Sequence, residues 1–177
     1  MYYEYIRYNN VIYDFLDEKE YYKLITRKKE KIDESFYKKT NRDVYIKKIS
    51  IEDASIQDIY DIDFYVDYID KKQTMTLMKD VTRWCVNDNR PCYKQPEIEK
   101  DELGIQGPGM NSTDGWMVYD QGASSKIIHL ADCTGFIVRY TYIVKNGEKL
   151  TEKLVEEVNM TSEEFKNEMI KYKRKNI

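Results

Sequence analysis

The dipeptide Asn146-Gly147 divides two stretches of strand-forming residues, and it constrains the fold more than any other part of the chain. A two-residue type I′ turn needs positive φ at both central positions, which Asn and Gly tolerate. Residues 136–144 before the turn are almost all β-branched or aromatic, which is typical of a half-buried strand. The chain returns through residues 149–158, and Lys126–Leu130 supplies a further strand upstream. The sequence therefore predicts an antiparallel meander over residues 126–158 at the centre of the fold.

Three segments carry helical patterns. Asp17 followed by Glu20 matches a capping box, and apolar residues recur near helical spacing up to residue 39, which predicts a helix over 17–39. An amphipathic pattern predicts a second helix near 75–87. A third helix is expected after Thr161, where another capping box precedes an apolar stripe.

Further strands are expected on both sides of Asn9-Asn10, over residues 43–51, and from Asp61 to Tyr68, where apolar and polar residues alternate. A length of 177 residues suits one complete hydrophobic core. We therefore expect a single α+β domain over residues 1–177. It would combine a mostly antiparallel sheet with two or three packed helices, including a C-terminal one.

The composition excludes several classes of protein. A net charge of -3 disfavours a generally basic nucleic-acid binder, and 14% aromatic residues disfavour disorder. No apolar stretch approaches the roughly 20 residues that cross a bilayer, and the first residues lack the pattern of a signal peptide. Three cysteines, an odd number, fit a reducing compartment better than a disulfide framework. We therefore expect a cytoplasmic protein with no membrane association.

The most distinctive charge pattern is acidic. Seven acids and no lysine or arginine lie between Ser50 and Asp70. On the strand portion, alternate residues on one face would stand about 6.6 Å apart. The candidate binding residues there are Asp61, Asp63, Tyr65 and Asp67. Such a row would suit a basic groove on a partner, including one that takes nucleic-acid phosphates. The alternative is a charged, solvated strand that resists edge-to-edge aggregation.

The segment from Pro91 to Gly115 contains all three prolines and four of the seven glycines. Long irregular loops in compact domains are usually functional or disordered. We therefore take Asn111, Asp114 and Trp116, at its end, as further candidate binding residues. The glycines at 104, 107 and 109 match neither phosphate-cradling pattern, because no clear strand precedes them and no Gly-Lys-Ser/Thr follows.

The single histidine and the three cysteines give two alternatives with chemistry. Cys85, Cys92, His129 and Cys133 could together hold a tetrahedral zinc ion, although neither pair has the usual tight spacing, and His129 with Cys133 would need a bend at Ala131-Asp132. His129 could instead activate one of the thiols as a nucleophile, with Asp132 or Asp114 orienting it. No local signature supports either alternative, and we expect neither a cofactor nor a catalytic residue.

These observations favour a small non-enzymatic protein that binds another macromolecule through the acidic segment and the Pro/Gly-rich loop. The expected partner is a protein, for example one with a basic nucleic-acid-binding groove. The composition also suits an accessory protein of a phage or other mobile element, such as an inhibitor. A zinc-stabilised or Cys/His-dependent enzyme and a direct nucleic-acid binder remain the alternatives.

Overall fold

The structure is a computed structural model, and it describes residues 5–39, 43–71, 82–86, 96–107, 115–120 and 123–172. Within these ranges the chain forms twelve strands and one α-helix, α1 (Ser162–Tyr172). The strands are β1 (Tyr5–Tyr8), β2 (Val11–Asp17), β3 (Tyr21–Thr26), β4 (Tyr37–Lys38), β5 (Tyr45–Ser50), β6 (Ile56–Asp67), β7 (Arg83–Val86), β8 (Glu102–Gly107), β9 (Met117–Asp120), β10 (Ala123–His129), β11 (Gly135–Lys145) and β12 (Glu148–Asn159). Short 3-10 turns occupy Lys29–Lys31, Ile98–Lys100 and Leu130–Asp132.

The predicted α+β class is therefore wrong. The described residues form a mostly antiparallel sheet with a single helix at the C-terminal end, rather than a sheet with two or three packed helices. The C-terminal helix itself is confirmed. The hydroxyl of Thr161 accepts a hydrogen bond from the backbone N–H of Glu164 (3.3 Å), and Oε2 of Glu164 accepts one from the N–H of Thr161 (2.8 Å). This is the reciprocal capping box that the sequence predicts.

The helix predicted over residues 17–39 is the clearest error. Oδ1 of Asp17 accepts a hydrogen bond from the N–H of Lys19, two residues on (2.8 Å), so this side chain closes a turn and caps no helix. Lys19 has φ 70°, which completes a tight hairpin between β2 and β3. In β3, Leu24 and Thr26 are buried, whereas Lys23 and Ile25 are only half-buried. The period is two, because the strand packs one face on the core.

The helix predicted near residues 75–87 falls largely outside the described residues. Its described end, Arg83–Val86, is strand β7. This strand pairs antiparallel with β6, where Trp84 lies opposite Val66. The pairing with a neighbouring strand accounts for this part of the apolar pattern.

Both asparagine turns are confirmed. Asn9 and Asn10 have φ 49° and 62° and join β1 to β2 in antiparallel register. Asn146 and Gly147 have φ 53° and 80° and join β11 to β12. The predicted three-stranded meander is wrong in one respect, because β10 pairs with β8 and β9, whereas β11 pairs with β12 and β6. The 3-10 turn Leu130–Asp132 separates β10 from β11, and the N–H of Leu130 bonds to the carbonyl of Asp101 (2.9 Å).

The chain groups into two compact units. The first contains the described residues of 5–62 and 140–156, with strands in the order β4-β5-β3-β2-β1 followed by the first part of β6. Its core is apolar and aromatic, and it buries these residues: Ile6, Tyr8, Tyr13, Phe15, Leu24, Ile49, Ile56 and Ile59. Near the hairpin turn, the buried carboxylate of Asp58 accepts a hydrogen bond from the N–H of Asn146 (3.0 Å) and pairs with Arg7 (3.2 Å).

The second unit contains the described residues of 63–139 and 157–172. The end of β6 is followed across the sheet by β7, β8, β10 and β9. The fully buried ring of Phe165 on α1 packs against Phe64 and Phe136, with ring centroids 5.5 and 5.2 Å apart. That the two units form one domain stays a prediction. No helix in the described ranges combines the length and the apolar character needed to cross a membrane.

Candidate functional site

Strand β6 carries the acidic row that the sequence singled out. Its alternation is confirmed in part, because Val66 is fully buried while Asp63 is exposed. Asp61, Tyr65 and Asp67 are half-buried. The period of two follows from the pleat, which sends successive side chains to opposite faces.

The ring of Tyr65 lies beneath a guanidinium group. The Cζ atom of Arg139, on β11, is 4.6 Å from the ring centroid, and its Nη1 donates a hydrogen bond to the Tyr65 hydroxyl (3.0 Å). The same guanidinium donates from Nε (2.9 Å) and Nη2 (2.6 Å) to Oε1 of Glu157 on β12. A cation over an aromatic face, held by a charge-assisted bond, gives the three side chains a fixed arrangement.

This arrangement sets the electrostatics of the tyrosine. Partial burial raises the pKa of Tyr65 above 10.0, and the negative charge of Asp63 raises it further. The Arg139 cation acts in the opposite direction. The phenol is therefore protonated at neutral pH and serves as a hydrogen-bonding and stacking group.

The carboxylate of Asp67 has a cationic neighbour of its own. Asp67 lies opposite Arg83 in the β6–β7 register, and the Nε of Arg83 is 3.3 Å from its Oδ1. Gly135 lies so close that a Cβ atom there would be 2.6 Å from Oδ2 of Asp67. The row is therefore a mixed surface of acids and arginines. We call it the Tyr65 surface, and it comprises Asp63, Tyr65, Asp67, Arg83, Arg139 and Glu157.

Trp116, predicted as a binding residue, lies in a buried cluster. Only 2% of it is exposed, and its indole nitrogen donates a hydrogen bond to Oδ2 of Asp70 (2.8 Å). The ammonium of Lys126 is 2.8 and 2.9 Å from the two oxygens of Asp70. The ring of Trp84 is 5.2 Å from that of Trp116, centroid to centroid. The end of the acidic segment thus contacts the residue that follows the Pro/Gly-rich segment, which was predicted to be an irregular loop but contains the buried strand β8.

Three of the residues that the sequence singled out fall outside the described ranges. These are Asn111, Asp114 and Cys92. Conversely, the sequence patterns did not single out Arg83, Arg139, Glu157 or Lys126 as functional residues. Arg139 offered one signal, because it is the only charged residue in the run from 136 to 144.

The thiol of Cys133 is in a setting that opposes reactivity. The chain does bend at Ala131-Asp132, but the bend brings Sγ of Cys133 to the backbone carbonyl oxygen of His129, at 3.6 Å. Burial, together with the nearby carboxylates of Asp132 and Asp67, raises the pKa of Cys133 to about 11. A nucleophilic cysteine needs the opposite shift.

A metal centre has no support within the described part of the chain. Among those residues no group of three or more His, Cys, Asp or Glu side chains is arranged to hold a metal ion. Cys85 lies on β7, opposite Gln106 of β8. Because Cys92 is not described, the four-ligand zinc hypothesis stays a prediction.

Comparison with known proteins adds a family. Residues 2–91 match the family model described as Uncharacterised conserved protein UCP033725, which is 90 of the 177 residues. The chain belongs to this family. No curated protein and no solved structure matches it. The matched range includes β1 to β7 and therefore Tyr65 and Asp67, whereas Arg139 and Glu157 lie beyond it.

Proposed function

We propose that this chain is a non-enzymatic protein that binds another protein through the Tyr65 surface. The observation that carries the proposal is the fixed stack of Arg139 on Tyr65, held by Glu157. Tyr and Arg are enriched among the residues that dominate binding energy at interfaces. Side chains that are already ordered lose less entropy when a partner binds, which favours affinity.

The charges around the stack indicate the chemistry of the partner. Asp63 is exposed, and the side chains of Asp67 and Glu157 remain 30% and 41% exposed beside their arginine partners. The arginines neutralise part of the row, so Asp63 is the carboxylate best placed to meet a cation of the partner. We infer that the partner presents a basic segment, and that this contact mainly affects association rate and selectivity.

The setting we propose is the cytoplasm of the cell that makes the protein, because an odd number of cysteines fits a reducing compartment. An accessory or inhibitory role in a phage or other mobile element rests on composition alone. Neither setting is needed for the binding proposal, which depends on the side chains of the surface.

A peptide-binding measurement tests the proposal. A fluorescently labelled peptide rich in Lys and Arg, and an acidic peptide of equal length, would be titrated with the protein at low and at physiological salt. We expect salt-sensitive binding of the basic peptide only, weakened about tenfold by Asp63→Lys. The matched control is Glu34→Lys, which makes the same charge change at another exposed position.

Equal weakening by both substitutions would show a general charge effect and contradict the proposal, as would the absence of basic-peptide binding. Capture from cell extract can then use the same pair of variants. Proteins retained by the wild type and by Glu34→Lys, but lost with Asp63→Lys, would be partners of this surface.

A further inference from the structure

Strand β12 is long and open to solvent. It pairs with β11, and no other described strand pairs with it. Of its twelve residues only Leu150 and Glu156 are half-buried, and the other ten are exposed. An exposed strand edge presents unpaired backbone groups that can template another strand.

The exposed side chains of this strand include large apolar groups. Leu154, Val155 and Val158 are 39%, 53% and 40% exposed. Leu154 and Val158 share one face of the strand and Val155 lies on the other, because side chains alternate. An edge with apolar groups on both faces is suited to a partner strand that covers both.

We propose that a second copy of this chain pairs antiparallel with β12, around a two-fold axis at Val155. An antiparallel pair places opposite residues on the same face of the sheet, so a symmetric pairing must be centred on one residue. Centred on Val155, the most exposed of these apolar residues, the register places Lys153 opposite Glu157 of the other copy, twice. Opposite charges directly across strands stabilise a sheet.

Neighbouring registers are disfavoured by like charges. An axis at Leu154 would place Glu152 opposite Glu156, and an axis at Glu156 would place that carboxylate opposite its own copy. An axis at Lys153 would oppose two ammonium groups. Like charges directly opposite one another destabilise a pair of strands. Among these neighbouring registers the charge pattern therefore favours the one in which the apolar Val155 meets itself.

Disulfide trapping tests the register. Residues directly opposite each other in an antiparallel pair have Cα atoms about 4.5 to 5.5 Å apart, within the range of a disulfide. Under mild oxidation, Val155→Cys should give a dimer linked through residue 155, identified by peptide mass spectrometry. Val158→Cys is the matched control, because it would face Glu152 and lie far from its own copy. Equal crosslinking of both variants, or none with Val155→Cys, would overturn the proposal.

Charge reversal provides a second test that does not depend on cysteine chemistry. Light scattering should find a dimer for the wild type, a monomer for Lys153→Glu, and a restored dimer when Lys153→Glu is combined with Glu157→Lys. Far-UV circular dichroism checks that each variant keeps its fold, since Glu157 also binds Arg139. A monomeric wild type at the highest soluble concentration would overturn the proposal, and so would a double variant that stays monomeric while folded.

Discussion

The indole nitrogen of Trp116 donates a 2.8 Å hydrogen bond to a carboxylate oxygen of Asp70 whose ion-pair partner is Lys126. The side chains of Asp70 and Lys126 are only 2% and 11% exposed. Burying two charges is costly, so this arrangement is stable only while the hydrogen bonds and the pairing are complete. Its members are separated by 46 and 56 positions in sequence, so the cluster ties distant parts of the second unit together.

Removing one charge of this pair should be strongly destabilising. Lys126→Met would remove the cation that contacts both oxygens of the buried Asp70 carboxylate, and we expect the free energy of unfolding to fall by about 3 to 5 kcal/mol. The double variant Asp70→Asn with Lys126→Met should recover most of this loss, because the Asn side-chain oxygen can still accept the hydrogen bond of the buried Trp116 indole. Urea denaturation at neutral pH measures both, with the exposed Lys48→Met as control. A double variant no more stable than Lys126→Met would show that the two charges do not act as a unit.

The thiol of Cys133 should be slow to alkylate. With a pKa of about 11 instead of 9.0, it holds roughly a hundredfold less thiolate at pH 8 than an unperturbed cysteine. Its reaction with iodoacetamide should accelerate as pH rises towards 11, and Asp132→Asn should increase the rate at pH 8 because a negative neighbour is removed. Mass spectrometry of the Cys133 peptide follows the reaction. Rapid alkylation of Cys133 at pH 7 would contradict this prediction and would support the Cys/His enzyme hypothesis.

The positive charge of Arg139 above the ring should affect the pKa of the Tyr65 phenol, which a titration measures. Because the positive charge of Arg139 lowers the pKa of Tyr65, Arg139→Gln should raise that pKa further above 10.0. Asp63→Asn should have the opposite effect, since the carboxylate raises the pKa. Carbon NMR of the tyrosine Cζ atoms, assigned with Tyr65→Phe, resolves this residue from the others. An unchanged pKa in Arg139→Gln would indicate that the stack does not persist in solution.

The capping box of α1 should contribute to stability and to its dependence on pH. Thr161→Ala should cost about 1 kcal/mol, which is the usual cost of losing an N-cap side chain. Hydrogen bonds from Thr161 lower the pKa of Glu164 in the folded state. The stabilisation is therefore present at neutral pH and is lost as pH falls through the acid range. Thermal melts between pH 3 and pH 7 should show a weaker acid dependence for Glu164→Gln than for the wild type. An equal acid dependence in the two proteins would contradict the capping role of Glu164.

The sequence predicted the hairpins well because their turns depend on local backbone preferences. Asn9-Asn10 and Asn146-Gly147 tolerate positive φ, and no distant residue is needed for that. The segment after Asp17 was predicted wrongly because the same acid can cap a helix or close a turn. Pairing of β3 with β2 and β5 decides between these outcomes, and pairing depends on residues far along the chain.

The site was predictable to a similar extent. The alternation around Tyr65 is a local pattern, and β6 follows it in part, with Val66 buried and Asp63 exposed. Arg139, which covers Tyr65, lies 74 positions from it in the sequence. Lys126 lies 56 positions from Asp70, with which it forms an ion pair. Neither contact has a local signature, because both arise only when strands from different parts of the chain come side by side. Composition therefore overstated the acidity of the surface.

Trp84 and Trp116 are the two tryptophans of the chain, and both belong to the second unit. Tryptophan fluorescence consequently reports the unfolding of the second unit. The first unit fluoresces through its tyrosines, because it contains no tryptophan. Thermal curves recorded by indole fluorescence and by far-UV circular dichroism would superimpose if both units lose structure cooperatively, and would separate if they do not. The protein thus carries an intrinsic optical probe of whether its two halves unfold as one.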